Sequence, residues 1–433
     1  MDRNNIFKLI LMGVILSGLN SYAQKISHKE NKIIKTVEAN NTDAIEFLKE
    51  VVNMNSGTMN HEGVKQVGRA FGKAFEDIGF VSSWYDMSEV NRSGHLFAEN
   101  KGSKGKKLLL IGHLDTVFEA DSAFQEFEMI NDSVAHAPGG NDMKGGDVIV
   151  LYALKALKEN GLLKNAQIIV AFTGDEESAG KPLTISRKHL IEAAKRSDIA
   201  LGFETSTGFN NATVARRGSS GWKVEVTGKQ AHSAGIFSEN TGAGAIFEMS
   251  RILNEFYSKV RGEMYLTFNP GYILGGTKID LDEAHSKGTA FGKGNVVAQT
   301  AVVEGGLRFI SEEQKENARA KMREIVDNNL PQTSAKITFI DSYPAMSPTE
   351  GNNKLLSVLN RVSIDLKQGG VEGYDPGKRG AADVSFIAEY VDCLDGLGTM
   401  GSGAHSPQET VNLNTIEALT KRTAILIYRL INM

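Results

Sequence analysis

The chain has 433 residues, too many for one compact core, so two or three domains are expected. Its 45 glycines against 8 prolines, with 41% hydrophobic residues, suit a soluble α/β protein and exclude a disordered or fibrous one. The formal net charge of -4 offers no basic face, which argues against nucleic acid as a partner.

The opening segment, MDRNNIFKLILMGVILSGLNSYAQ, carries Arg3 and Lys8, then an apolar run from Leu9 to Leu16, then Ser21 and Ala23 at the spacing of a cleavage site. It reads as a signal peptide, residues 1–23, of an exported protein, periplasmic or secreted. The apolar run is shorter than the roughly 20 residues a spanning helix needs, so no stable membrane insertion is expected. Cys393 is the only cysteine, which rules out an intrachain disulfide and suits a buried, inert thiol.

From Thr42 to Gly79 the apolar spacing is helical, broken by turn residues in NMNSGTMNHEG. Strands are expected at 94–100 and 107–113, a helix at 147–160, a strand at 166–172, a polar helix at 182–196 and a strand at 198–204. Strands alternating with helices predict an α/β domain with a mostly parallel central sheet. Near Arg216 the pattern changes. GWKVEVTGK alternates like a half-exposed strand, a helix follows at 241–260, strands at 264–274 and 295–309, a helix at 312–328, and a strand at 335–341. That βαββαβ order describes an inserted α+β, ferredoxin-like domain at 215–343, between catalytic parts at 24–214 and 344–433. Residues 275–294 read as a long polar loop. Helices at 353–365 and 413–431 close the chain.

The acids and histidines gather at predicted strand ends. His113 and Asp115 follow LLLIG, Glu176 and Glu177 follow AQIIVAF, Glu204 ends ALGFE, and Asp142 sits among glycines in APGGNDMKGG. His405 lies far along the chain, in GSGAHSPQET. Ligands of an open parallel sheet bind outside the carboxyl ends of its strands. Carboxylates crowded there repel one another unless cations intervene. Taken singly, His113 could be a core histidine, Asp142 a turn residue and Glu204 a solvated strand end. Together they suit two divalent ions. Imidazole and carboxylate donors without cysteine fit zinc, with cobalt or manganese possible on the same donors.

The motifs HLDTVF, GGNDMKGG, TGDEES, GKQAHSAG and GSGAHSPQE, in this order, resemble the dinuclear zinc exopeptidase family of glutamate carboxypeptidase (carboxypeptidase G type), aminoacylase-1 and succinyl-diaminopimelate desuccinylase. The resemblance runs from about Thr42 to Ile431. It implies two zinc ions per chain: His113 and Glu204 on one, Glu177 and His405 on the other, Asp142 bridging. It implies Glu176 as general base and Asp115 as the residue orienting the His113 imidazole. In the inserted domain it implies His232 as an oxyanion donor reaching across a homodimer, with Asn295 and Arg308 holding the substrate. The activity implied is carboxypeptidase-type cleavage of a small peptide or N-acyl amino acid beside a free carboxylate. An aminopeptidase or N-acyl-amino-acid deacylase of the same family is the alternative, and an exported solute-binding protein the rival of another class. The chain departs from the family at Gly306, where an aspartate is usual, and near Tyr343, where a basic substrate contact is expected. The role of Asp175 is left open, with a loop hydrogen bond as the expectation.

Overall fold

The computed structural model describes residues 26–282 and 287–433. The leader expected at 1–23 lies outside the described residues. The first helix, His28–Val52, begins further upstream than its apolar pattern suggested. Ser27 caps it reciprocally: the Ser27 Oγ accepts from the Glu30 amide, and the Glu30 carboxylate accepts from the Ser27 amide at 2.7 Å. Its buried stripe, Ile33, Val37, Ala44, Leu48 and Val51, meets the helices Gly145–Glu159 and Ile416–Leu430. A second helix, His61–Asp77, follows the turn at 53–60.

These helices cover one face of a six-stranded sheet. Its order is Val81–Asp86, Gly94–Lys101, Ala166–Thr173, Lys104–His113, Ile199–Gly202, Asp392–Leu394. The last four strands in that order run parallel to one another. The run LLLI explains why the central strand is buried on both sides. Leu108 and Leu110 face the helical core, while Leu109 and Ile111 face a second core with Leu190, Ala193 and Ile387. Each such leucine contributes roughly 1.5–3 kcal/mol by burial. Cys393 lies in this second core, fully buried.

Residues 218–341 form a separate two-layer unit. Its sheet order, Thr267–Gly276, Thr300–Phe309, Gly218–Gly228, Thr333–Asp341, is antiparallel throughout, and the helices Gly244–Glu255 and Glu312–Asp327 cover one face. Trp222, Met249, Phe256, Leu307 and Met322 fill its own core. With its βαββαβ order, this is the inserted α+β layer expected from the sequence.

Three expectations are corrected. The polar helix at 182–196 is two short helices, Leu183–Ser186 and Lys188–Lys195, meeting at Arg187, whose side chain is drawn inward by buried acids. The polar loop at 275–294 holds a β-ribbon, Lys278–Asp282 paired with Lys287–Phe291. Its exposed alternation of polar and small residues hid the strand period. The edge strand Val81–Asp86 is not marked in the sequence, because VSSWYD has no apolar run.

Candidate metal centre

Strand register sets the site. His113 pairs with Thr173 and Ile111 with Gly202, so three parallel strands end at one level. The chain beyond each end supplies acids: Asp115 after the first, Asp175 to Glu177 after the second, Glu204 after the third. Asp142 comes from the turn 140–144 that opens the helix Gly145–Glu159. Gly146 lets that helix sit against the third strand end, since a Cβ there would lie 2.1 Å from the Phe203 carbonyl oxygen. His405 arrives from the loop 403–409, where its own φ is +62°.

Asp142 stands between two imidazoles. Its Oδ1 is 3.4 Å from His113 Nε2, and its Oδ2 is 3.2 Å from His405 Nε2. Glu204 Oε1 lies 3.6 Å from His113 Nε2, and Glu177 Oε2 lies 3.1 Å from His405 Nε2. The donors therefore fall into two sets that share Asp142. Two ligands of one tetrahedral ion with bonds of about 2.0–2.1 Å stand ~3.3 Å apart, the spacing seen within each set. His113 Nε2 and Glu177 Oε1 are buried with no hydrogen-bond partner. Orphaned donor atoms turned to a common centre fit divalent cations better than a closed polar network.

The electrostatics agree. Burial, then the Glu204 charge, pushes Glu176 well above the usual carboxylate range. Burial, then Asp142, pushes Glu204 up to about 7. His405 is pushed up to about 11 by its contacts with Asp142 and Glu177. For His113, burial opposes charging, but Asp115 and Asp142 outweigh it and the pKa rises well above normal. Protons on the imidazoles are thus one way to balance these acids. A divalent ion in each set balances them without a proton and restores neutral imidazole ligands.

The three acids of TGDEES separate in space. Glu177 faces His405. The Glu176 carboxylate makes no ion pair among the described residues, yet its oxygens come within 4.8 Å of His113 and Glu204 donor atoms. Asp115 is fully buried and holds this turn: its Oδ1 accepts from the Glu176 amide at 3.0 Å, and its Oδ2 from the Glu177 amide at 3.2 Å and from Thr58 Oγ1 at 2.7 Å. The His113 Nδ1 lies 3.0 Å from the Asp115 carbonyl and 3.6 Å from its carboxylate. Asp115 therefore touches both the imidazole and the Glu176–Glu177 backbone.

Asp175 does more than bond a loop amide. Its Oδ2 accepts from the Gly180 amide and from Ser186 Oγ, both at 2.8 Å, and its Oδ1 pairs with the buried Arg187. Arg187 also reaches Asp383 at 2.7 Å, which accepts from Thr173 Oγ1 at 2.6 Å. This network fixes the turn from beneath. Glu409 was also missed: its Oε1 accepts from the Asn141 and Asp142 amides at 2.9 and 3.0 Å, holding the Asp142 loop. Its signal was inside a quoted motif, four residues after His405. Tyr343, expected near a substrate contact, donates instead to the Glu176 carbonyl at 3.0 Å.

The inserted-domain candidates stand apart from this cluster. His232 is exposed, and its Nδ1 accepts from the Ala234 amide at 3.2 Å. Asn295 is its neighbour, since the Ser233 amide donates to the Asn295 carbonyl at 2.9 Å. Arg308 is exposed on its strand, opposite Thr267 and Ser219. No hydrogen bond or ion pair among the described residues joins His232, Asn295 or Arg308 to the cluster around Asp142.

A parallel sheet whose strand ends gather two His–carboxylate donor sets beside a free carboxylate defines a metallo-hydrolase. The chain belongs to peptidase family M20/M25/M40, whose model matches residues 109–429. It is 25% identical to carboxypeptidase G2 from Pseudomonas sp. (strain RS-16), over 96% of this chain and 95% of that protein. It is 25% identical to succinyl-diaminopimelate desuccinylase from Psychrobacter sp. (strain PRwf-1), over 87% and 93%. Among solved structures it is similar in fold to the Bacillus subtilis YXEP protein, a dinuclear metal binding peptidase from the M20 family, with a TM-score of 0.62 at 13% identity, covering 91% of this chain and 99% of that one. The expectation of export is overturned here: the succinyl-diaminopimelate desuccinylases among these relatives are cytoplasmic enzymes. No described helix is long and apolar enough to cross a membrane.

Proposed function

We infer that the chain is a zinc-dependent exopeptidase of carboxypeptidase type, which hydrolyses a peptide or N-acyl amide bond beside a free carboxylate. The observation that carries this reading is Asp142 between His113 and His405, with Glu176 close by and unpaired. His113, Asp142 and Glu204 would hold one ion, and His405, Asp142 and Glu177 the other. Zinc suits these donors, and cobalt or manganese would use the same set. Bound, such ions supply Lewis acidity for a carbonyl and for water.

The remaining steps belong to side chains. Glu176 takes a proton from the attacking water and returns it to the leaving amine. Asp115 keeps its backbone in place through the amide contacts described above. Residues 215–343 act as a lid and dimerisation domain. Arg308 holds the substrate carboxylate, because a guanidinium makes two parallel bonds to it. Asn295 assists, and His232 of the partner subunit donates to the developing oxyanion.

The test compares N-blocked and C-blocked dipeptides with the zinc-loaded protein. Hydrolysis of the N-blocked set, abolished by a chelator and restored by zinc, is expected. Hydrolysis confined to the C-blocked set would reassign the enzyme as an aminopeptidase, and none at all would remove the hydrolytic reading.

A further inference from the structure

The chain crosses between the large and small sheets twice, and the two crossings lie side by side. Residues 214–218 lead into the small sheet and 342–346 lead out of it. Arg216 and Met346 pair across them, amide to carbonyl, at 2.9 and 3.1 Å. Tyr343 sits on the second crossing, where the following Pro344 biases its backbone toward the extended form. Its main chain is tied to the small sheet, because its carbonyl accepts from the Ser219 amide at 2.8 Å. Ser219 is the register partner of Arg308 on the neighbouring strand. Its side chain is tied to the large sheet. The ring packs against Phe386 with centroids 4.9 Å apart, and the hydroxyl donates to the Glu176 carbonyl at 3.0 Å. Strand pairing, one backbone bond and one phenol thus join Arg308 to Glu176.

Glu176 depends on such support. It stands in a turn beyond its strand, and its carboxylate forms no ion pair among the described residues, so its backbone decides where the carboxylate points. Both backbone polar groups are held by side chains. Asp115 accepts from the amide at 3.0 Å, and Tyr343 donates to the carbonyl. No backbone amide among the described residues donates to that carbonyl. The two supports differ in origin. Asp115 follows the strand that carries His113, whereas Tyr343 comes from the crossing that bears the small sheet. The Tyr343 ring is itself well seated, since the Arg187 guanidinium lies over the far partner, Phe386, at 5.3 Å. The phenol therefore rests on the same buried network that holds Asp175.

We propose that Tyr343 is a positioning residue for the reaction. It fixes the Glu176 backbone relative to Arg308, and so sets the span over which a substrate is gripped at its carboxylate and attacked at its amide. The proposal rests on the hydrolase reading above for the roles of Glu176 and Arg308, but the hold of Tyr343 on Glu176 is tested apart from turnover.

The experiment uses the zinc-loaded full chain and two peptides, N-acetyl-Ala-Ala and N-acetyl-Ala-β-Ala, the second longer by a methylene between amide and carboxylate. The wild type should favour the first in kcat/KM by about tenfold or more. Tyr343→Phe keeps the ring on Phe386 and removes only the hydroxyl. It should lower kcat on the first peptide about tenfold, leave KM within about twofold, and shrink the preference by about threefold or more. In a Glu176→Gln background the same change should leave the residual rate where it is, because Tyr343 acts through Glu176. Amide exchange over residues 174–180 should quicken about tenfold in the Tyr343→Phe protein, with zinc content unchanged. A merely structural role would instead move zinc content and the Glu176→Gln residual rate. No preference in the wild type, a preference that Tyr343→Phe leaves intact, an equal loss in the Glu176→Gln background, or unchanged exchange at 174–180 would overturn the proposal. If the wild type hydrolyses neither peptide, the hydrolase reading falls, and the exchange measurement still decides whether Tyr343 holds Glu176.

Discussion

The strand ends of the large sheet crowd Asp142, Glu176, Glu177 and Glu204 around two imidazoles, and leave buried donor atoms unpaired. The small sheet does the reverse. Its interior is apolar around Trp222 and Phe256, and its buried charges find partners, as Glu248 does with Arg251 at 2.6 Å and Arg319 with Asp341 at 2.6 Å. One region balances its acids only with added protons or cations. The other is complete without them, and exposes His232, Asn295 and Arg308, which its own packing does not use. Acids crowded beyond the ends of one sheet mark where chemistry resides.

The sharpest way to break this comparison is to remove the proton acceptor and nothing else. Glu176→Gln should lower kcat by about 10²–10⁴-fold while metal content, read by elemental analysis, stays at the wild-type value. Near-wild-type turnover would show that the base lies elsewhere. Next in size are two stability changes, one per region. Asp175→Asn leaves Arg187 short of a buried counter-charge and should lower the unfolding free energy in urea by about 3–5 kcal/mol. Trp222→Ala should cost about 3–5 kcal/mol through lost packing in the small core, with metal content unchanged. If Trp222→Ala released metal, the two regions would not be independent.

How legible was this in the sequence? The apolar runs LLLI and IIVAF placed two strands, and the acids just beyond them followed directly. His405 came only through its motif, since nothing local ties GSGAHSPQE to strand ends more than 200 residues earlier. Asp175 stayed without a role because its partners lie elsewhere: Arg187 sits in a helix-to-helix turn and Asp383 in a distant short helix. Such pairings are set by packing, and sequence spacing carries no trace of them. The edge strand Val81–Asp86 and the ribbon at 278–291 escaped for a simpler reason. Strands with exposed faces lack the apolar alternation by which strands are recognised.

A smaller effect probes the exposed layer. His232→Ala should lower kcat by about 10²–10³-fold with metal content intact, if the imidazole meets a developing oxyanion. Sedimentation of the wild type tests the cross-subunit part of that role, because a fully active monomer would contradict it. The smallest effect lies far from both regions. Ser27→Ala removes the cap of the first helix and should cost about 1 kcal/mol in urea unfolding, with turnover unchanged.

The central claim is that two ions share Asp142. Elemental analysis of zinc-reconstituted protein after dialysis tests it most directly. The account predicts two zinc per chain in the wild type, and a loss of stoichiometry in both His113→Ala and His405→Ala. Two zinc per chain retained in either variant, or fewer than two in the wild type, would contradict it.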